Sequence, residues 1–298
     1  MVPCVSVRKA VIPAAGLGTR LLPATKAIPK EMMPLLDRPA IQRVVEEAVD
    51  VGIRDILIVT SRNKEALADH FDRSPELESA LEDKGKSAAA EAVRRLSDLA
   101  RIHFVRQPEP LGLGHAVSMA RDHIGDESFA VLLPDDVMTS PRALRSMLAL
   151  HERGGRTVLA LLRVSREEIA ALGAADAEEI AERIHRVRSV VEKPRPEEAP
   201  SELAVIGRYV FSPEIFDALD RTPPGVGGEI QLTDAIGLLT REGEVLGWEV
   251  EVERHDCGNK LGYLKAFVSF ALQDPEVAEP FVAWMRERLP GAGPDEST

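Results

Sequence analysis

Short apolar runs, each followed by an amphipathic segment, recur along this chain, and that alternation limits its fold more than any other feature. A strand covered on both faces reads as a continuous apolar run, and a helix between two such strands returns the chain so that they lie parallel. Runs at 10–15, 55–60, 102–106 and 129–133 predict strands. Helices are predicted over 39–51, where Ile41, Val44, Val45, Ala48 and Val49 share one face, over 64–71, and from about His115 onward. The charged, alanine-rich stretch 75–100 favours helix with a solvated face. The second half alternates less cleanly, with strands over 157–164, 187–192, 204–211 and 244–252, helices over 141–153, 213–219, 230–240 and 261–272, and an acidic, helical insert at 176–183. The expected fold class is α/β: a Rossmann-like, mixed and mostly parallel sheet flanked by helices. No internal repeat is visible.

The first strand runs into AAGLGTR, where Gly16 and Gly18 have no Cβ to keep an anion from the backbone N–H groups. Arg20, Lys26 and Lys30 come next. Between Met1 and Arg43 stand seven basic residues against Glu31 and Asp37, in a chain of net charge −12. The positive charge is therefore local, as a phosphate cradle requires. A pI near 5.2 argues against a nucleic-acid surface, which needs a basic stripe. No apolar run is long enough to span a bilayer, and 1–16 lacks the order of a signal peptide, so the expected location is the cytoplasm with no membrane partner. Cys4 and Cys257, far apart and without metal spacing, suggest neither a disulfide framework nor a zinc site.

In an open α/β sheet, ligands bind beyond the carboxyl ends of the strands. Just past the predicted strands stand Arg20, Lys26 and Lys30, then Gln107, then Asp135 and Asp136, then Glu192 and Lys193, then Asp256. Cations, an amide and carboxylates suited to magnesium make a coherent set for transfer between phosphates. Taken singly, each also fits a plainer reading: Gly16 and Gly18 an ordinary turn, Asp135 a turn acid, Lys193 a surface lysine, Glu229 a helix N-terminal charge. The sequence G-L-G-T-R-L lacks the third glycine of a dinucleotide fingerprint, which disfavours a nicotinamide-dependent dehydrogenase.

Seven motifs in order, AAGLGTRLLPATKAIPKEMMP, GLGHAV, LLPDD, VVEKP, IGRYVF, GGEIQLTDAI and HDCGNKLGYLKAF, resemble those of the sugar-1-phosphate nucleotidylyltransferases, over about 9–272. The continuation TKAIPKEM and the motif DCGNKLGY resemble the uridylyl rather than the thymidylyl branch. The resemblance implies a nucleotide-diphospho-sugar transferase fold and Mg²⁺-assisted, in-line transfer of a uridylyl group from UTP to glucose 1-phosphate, giving UDP-glucose and pyrophosphate. It implies that Arg20, Lys30 and Lys193 are catalytic, that Ala14, Ala15, Gly16, Gly18, Thr19, Lys26, Gln107 and Gly112 bind the nucleotide, that Gly173, Glu192, Gly207 and Glu229 surround the sugar, and that Asp135 and Asp256 hold the metal. Gln107 would read the uracil edge and Lys193 grip the sugar phosphate. The chain departs from the pattern at Leu172-Gly173, where an aromatic-glycine pair is usual, and Asp136 is an acid where many relatives have an apolar residue. A single domain over 1–290 is expected, with nucleotide-binding (about 8–140) and sugar-binding (about 141–258) parts and C-terminal helices (about 259–289), ending in a frayed tail at 291–298. The C-terminal helices offer an interface for a homo-oligomer, a dimer or tetramer. A catalytically silent sensor on the same fold would more naturally lack Lys30, Asp135 or Lys193. His115 and His255 read as packing or surface residues.

Overall fold

In the computed structural model, which describes residues 7–288, the first apolar run becomes β1 (Lys9–Pro13), whose side chains divide between two cores. Ala10 and Ile12 enter one hydrophobic layer, and Val11 enters the layer on the opposite face. A strand buried on both faces must be central, and β1 has neighbours on both edges.

Three 3-10 turns lead to a short hairpin, β2 (Pro34–Leu35) and β3 (Arg38–Pro39). Then come α1 (Ala40–Asp50), β4 (Asp55–Thr60), α2 (Ala66–Phe71), α3 (Pro75–Asp83), α4 (Ser87–Ser97), β5 (Arg101–Arg106), α5 (Gly112–Ser118), α6 (Arg121–Ile124), β6 (Phe129–Leu132), β7 (Asp136–Met138), α7 (Arg142–Glu152) and β8 (Val158–Arg163). The remainder is α8 (Arg166–Ile169), β9 (Gly173–Ala181), β10 (Ile184–Glu192), β11 (Leu203–Phe211), α9 (Glu214–Asp220), α10 (Leu232–Glu242), β12 (Val245–Glu249), β13 (Arg254–Asp256), α11 (Lys260–Gln273) and α12 (Ala278–Arg288). The expected tail at 291–298 lies outside the described residues.

A nine-stranded sheet has the order β5-β4-β1-β6-β11-β8-β12-β10-β9. Strands β5, β4, β1 and β6 pair in parallel, as do β8 and β12, whereas β10 and β11 run against their neighbours. The sheet is therefore mixed, with most strands pointing one way. The edge strand β5 carries Arg101, His103 and Arg106 outward, and such charges discourage pairing with another chain. Helices α1, α2, α7 and α11 cover one face, and α5, α6, α9 and α10 the other.

One expectation is corrected and another is refined. Residues 176–183 are not helical: they form the end of β9 and the two-residue turn into β10, with Ala181 opposite Ile184 and Arg183 at φ 60°. Their alanine and glutamate content favours helix, but pairing to β10 overrides a weak local preference. The charged stretch 75–100 is two helices, α3 and α4, broken where Gly85 takes φ +69° and clamped by Glu78, which accepts from Arg73 and Arg94.

The way β9 attaches decides the second half of the site. Strand β6 pairs with β11 at Arg208–Phe211, and where β6 ends β9 takes over, placing Gly173 opposite Val205 and Ala174 opposite Ala204. Strands β11, β8, β12, β10 and β9 thereby close a ring. Although β10 runs antiparallel to its neighbour, its last residue Glu192 thus arrives beyond the carboxyl end of β6, because it lies opposite Gly173.

Candidate active site

The glycine loop is supported from below by Lys64, which the sequence reading did not single out. Its ammonium donates to the Ala14 carbonyl at 2.6 Å, to the Gly16 carbonyl at 2.7 Å and to both Glu31 oxygens at 3.0 and 2.9 Å. The side chains are 7% and 0% exposed. Burial pushes the Glu31 carboxyl up and the Lys64 ammonium down, and their attraction opposes both shifts without cancelling them. A trans peptide points its C=O and N–H in opposite directions. Holding the Ala14 and Gly16 carbonyls on Lys64 therefore turns the N–H groups of Ala15 and Leu17 the other way, and both residues line the cleft above. Gly18 takes φ +67°, and its carbonyl accepts from Thr25 Oγ1 at 2.7 Å.

That cleft, of about 500 Å³, is bounded by Ala15, Gly16, Gly18, Thr19, Arg20, Lys30, Gln107, Gly112, Asp135 and Glu229 among others. Ten residues expected from scattered positions thus share one cavity. Ala14 does not line it: its N–H goes to the Val59 carbonyl at 2.7 Å and its carbonyl to Lys64, so it supports the loop from within. Lys26 is exposed on a 3-10 turn and is also absent from the wall.

Lys30 reaches across to Asp135, its Nζ 2.5 Å from Oδ2. Burial pulls the Lys30 ammonium down, but the charges of Asp135 and Glu31 outweigh it and leave the group above its ordinary value. For Asp135, burial pushes the carboxyl up, and the charge and hydrogen bond of Lys30 more than reverse this. Asp256 is brought alongside by β7 and β13, which pair antiparallel with Asp256 opposite Asp136. Its Oδ2 lies 3.9 Å from Arg20, and Asn259 donates to the same oxygen at 3.0 Å.

Gly258 marks the point on which these groups converge. A Cβ there would meet Arg20 Nη2 at 2.7 Å, Asp256 Oδ1 at 2.9 Å and Asp135 Oδ2 at 3.0 Å. Two carboxylates and a guanidinium thus face one space that only glycine leaves open. Gly258 stands inside the HDCGNKLGYLKAF motif, but nothing in its local sequence says what lies opposite.

Asp136 has a structural partner. It is buried and accepts from Arg254 Nε at 2.6 Å and Nη2 at 3.0 Å, and from the Gly207 N–H at 2.7 Å. It therefore ties β7 to β13 and holds the two site aspartates in register. Behind it, fully buried Arg208 joins Glu47 of α1, at 2.6 Å, to the carbonyls of Leu133 and Gly207.

Of the expected sugar residues, Glu229 lines the cleft itself, and Gly173, Glu192 and Gly207 lie in a second group. Gly173 and Glu192 are opposite one another, and Glu192 Oε2 accepts from Thr233 Oγ1 at 3.0 Å, a contact the sequence reading missed. Lys193 is exposed, 3.2 Å from the Glu192 carboxylate, and takes φ +43°, a backbone region costly for a residue with a Cβ. Gly207 joins this group to the cleft, because its carbonyl accepts from the Leu133 N–H at 2.9 Å.

Gln107 is buried to 7% exposure, with its Nε2 3.1 Å from the Gly112 carbonyl and 2.9 Å from His115 Nδ1. His115 is thus not a simple packing residue. Gly112 takes φ +94°, and a Cβ on it would come within 2.8 Å of Glu229 Cβ, so the loop closes only with glycine there. His255 is buried.

A profile of the nucleotidyl transferase family matches residues 9–272. The chain belongs to the nucleotidyl transferase family. Within it, the UTP–glucose-1-phosphate uridylyltransferase of Bacillus subtilis (strain 168) is 50% identical over 284 residues, 95% of this chain and 97% of that protein. The protein of the same name from Staphylococcus epidermidis (strain ATCC 12228 / FDA PCI 1200) is 47% identical over 282 residues, 94% of this chain and 98% of that one. Among solved members, a UTP-bound UGPase from Acinetobacter baumannii superposes with a TM-score of 0.88 at 39% identity, covering 94% of this chain and 99% of the other. A UDP-glucose pyrophosphorylase complexed with UDP-glucose gives 0.82 at 39% identity, covering 90% and 100%. Among the described residues no helix is long and apolar enough to cross a membrane.

Proposed function

We propose that this chain is a UTP–glucose-1-phosphate uridylyltransferase, transferring a uridylyl group from UTP to glucose 1-phosphate and releasing pyrophosphate, with the cleft over the glycine loop as its active site. The observation that carries the reading is the convergence of the Ala15–Gly18 backbone, Arg20, Lys30, Gln107 and Asp135 on one cavity, in a chain half identical to proteins of that name. A phosphate oxygen of the sugar phosphate attacks the α-phosphorus in line. A new P–O bond forms as the bond to the β-phosphate breaks, and pyrophosphate leaves with the electron pair. The protein's task is alignment and charge neutralisation. N–H groups of the glycine loop together with Arg20 hold the triphosphate, and Lys30 neutralises charge on the α-phosphate and leaving group. Lys193 grips the incoming sugar phosphate, and Glu192, Gly173, Gly207 and Glu229 surround the sugar.

The two carboxylates facing the space over Gly258 are hard oxygen donors and fit Mg²⁺, so Asp135 and Asp256 are its proposed ligands. When bound, the ion would neutralise phosphate charge. The division into a nucleotide-binding part over about 8–140 and a sugar-binding part over about 141–258 rests on the same assignment. Exposed Leu261, Leu264 and Leu272 on α11 and Trp284 on α12 support a homo-oligomer, a dimer or tetramer, built through the C-terminal helices. The proposed location is the cytoplasm. Pyrophosphate release from UTP, glucose 1-phosphate and magnesium tests the activity. Purified protein that released none would overturn it.

A further inference from the structure

We infer that His115 is a positioning residue for base selection: with the Gly112 carbonyl it holds the Gln107 amide so that only a hydrogen-bond acceptor faces the base. The inference rests on the proposed reading of Gln107 as the amide that contacts the nucleobase.

A carbonyl oxygen can only accept, so the Gln107 atom 3.1 Å from the Gly112 oxygen is the amide nitrogen. The same nitrogen lies 2.9 Å from His115 Nδ1. Because an amide NH₂ donates and does not accept, Nδ1 is the acceptor, and the neutral ring carries its proton on Nε2. Both hydrogens of the Gln107 amide are thereby spent inside the protein. Its Oε1 accepts from no donor among the described residues and is not an enclosed orphan atom, so it is the part of the amide left to the cleft that Gln107 lines.

An acceptor in that position selects chemistry. Uracil and thymine carry N–H at ring position 3 and can donate to it, whereas cytosine presents a lone pair there and would meet oxygen with nitrogen, neither donating. The site therefore accepts imide-type pyrimidines and rejects cytosine, and dTTP satisfies this contact as well as UTP does. Gly112 and His115 both belong to α5, one helical turn apart, so the amide is held by two points of one rigid element. The terminal amide torsion is intrinsically broad. With His115 gone, Gly112 alone restrains it, and rotamers that turn NH₂ toward the base become populated.

The experiment compares His115→Leu, His115→Ala, His115→Asn and Gln107→Ala by pyrophosphate release with UTP, dTTP and CTP. Loss of one orienting hydrogen bond predicts that the UTP-to-CTP ratio of kcat/KM falls about tenfold in His115→Leu and His115→Ala. The fall should come mainly from the KM for UTP, with kcat at saturation retained. His115→Asn, whose side-chain oxygen can accept near the place of Nδ1, should keep the wild-type ratio. If the leucine and alanine variants both keep the ratio within twofold while Gln107→Ala loses it, the role of His115 is overturned and the reading of Gln107 survives. A Gln107→Ala variant that discriminates like wild type overturns the base-contact reading itself, and the role of His115 with it. The alanine variant adds no bulk, so a folding defect confined to leucine leaves the comparison intact.

Discussion

Replacing Lys64 with methionine removes the cation that hydrogen-bonds to Glu31, whose side chain is 0% exposed, and leaves that carboxylate only the positive charge of Lys30, which makes no hydrogen bond to it. A carboxylate cannot stay ionised there at reasonable cost, so the folded variant takes up a proton instead. Folding with Glu31 protonated costs about 1.36 kcal/mol for each pH unit above the ordinary glutamate value near 4.3, which is about 1 kcal/mol at pH 5 and about 4 kcal/mol at pH 7. The neutral-pH figure agrees with the roughly 3–5 kcal/mol typical of breaking a buried ion pair. The sign comes from the raised folded-state pKa: the contribution of Glu31 to stability is fully present below the unfolded value and is lost as pH rises toward the folded one. Denaturant and thermal unfolding of Lys64→Met and wild type at pH 5 and pH 7 measure it. Because Glu31 is raised in wild type as well, these figures are upper bounds on the difference: at about 2–4 °C per kcal/mol, the variant should melt at most roughly 8–16 °C below wild type at pH 7 and only a few degrees below at pH 5. The double variant Glu31→Gln, Lys64→Met should lose that pH dependence. Equal destabilisation at both pH values, or less than about 1 kcal/mol at pH 7, would refute the reasoning. Freed carbonyls at Ala14 and Gly16 should also raise the KM for UTP.

Gly258→Ala places a methyl group within about 3 Å of Arg20, Asp256 and Asp135, and should cut turnover by tenfold or more while the melting temperature changes little; normal turnover would remove Gly258 from the site. Asp136→Asn breaks the buried pair with Arg254 that couples β7 to β13. It should cost about 3 kcal/mol in denaturant unfolding and lower metal-dependent activity, and Asp136→Asn with wild-type stability would show that the pair is not structural. Burial, reinforced by the charges of Asp135, Asp136 and Asp256, pushes the Cys257 thiol up to about 12. Peptide-mapped alkylation at pH 8 should therefore spare Cys257 in folded protein and label it after unfolding.

Much of the first half of the fold is readable in the chain because each element there is decided locally. The run that becomes β1 is apolar from Ala10 onward, α1 repeats its apolar residues at helical spacing, and glycines and prolines mark the turns between. Ala15, Gly16, Gly18, Thr19, Arg20, Lys30, Gln107 and Asp135 are legible as neighbours in one cleft for the same reason: each follows a strand end, and parallel strands bring their carboxyl ends together. β9 was not legible. Its alanines and glutamates favour helix on their own, and it is a strand because it pairs along its length with β10 and, at Gly173 and Ala174, with the edge of β11 where β6 stops. Lys64, Glu31 and Thr233 look like ordinary surface residues in sequence, since burial and pairing depend on partners tens of residues away.

By itself, then, the sequence determines that a glycine loop and the cations that follow it sit at the carboxyl end of an α/β sheet, because strand burial, helix periodicity and glycine backbone freedom act over a few residues. Only the tertiary structure decides how the loop presents its N–H groups, which carboxylates share a space, and what Asp136 does. Those depend on Lys64 beneath the loop, on the pairing of β7 with β13 around Gly258, and on Arg254, all contacts between distant segments. Pairings of that kind have no local signature, since each partner's role is set by a residue that arrives from elsewhere in the fold.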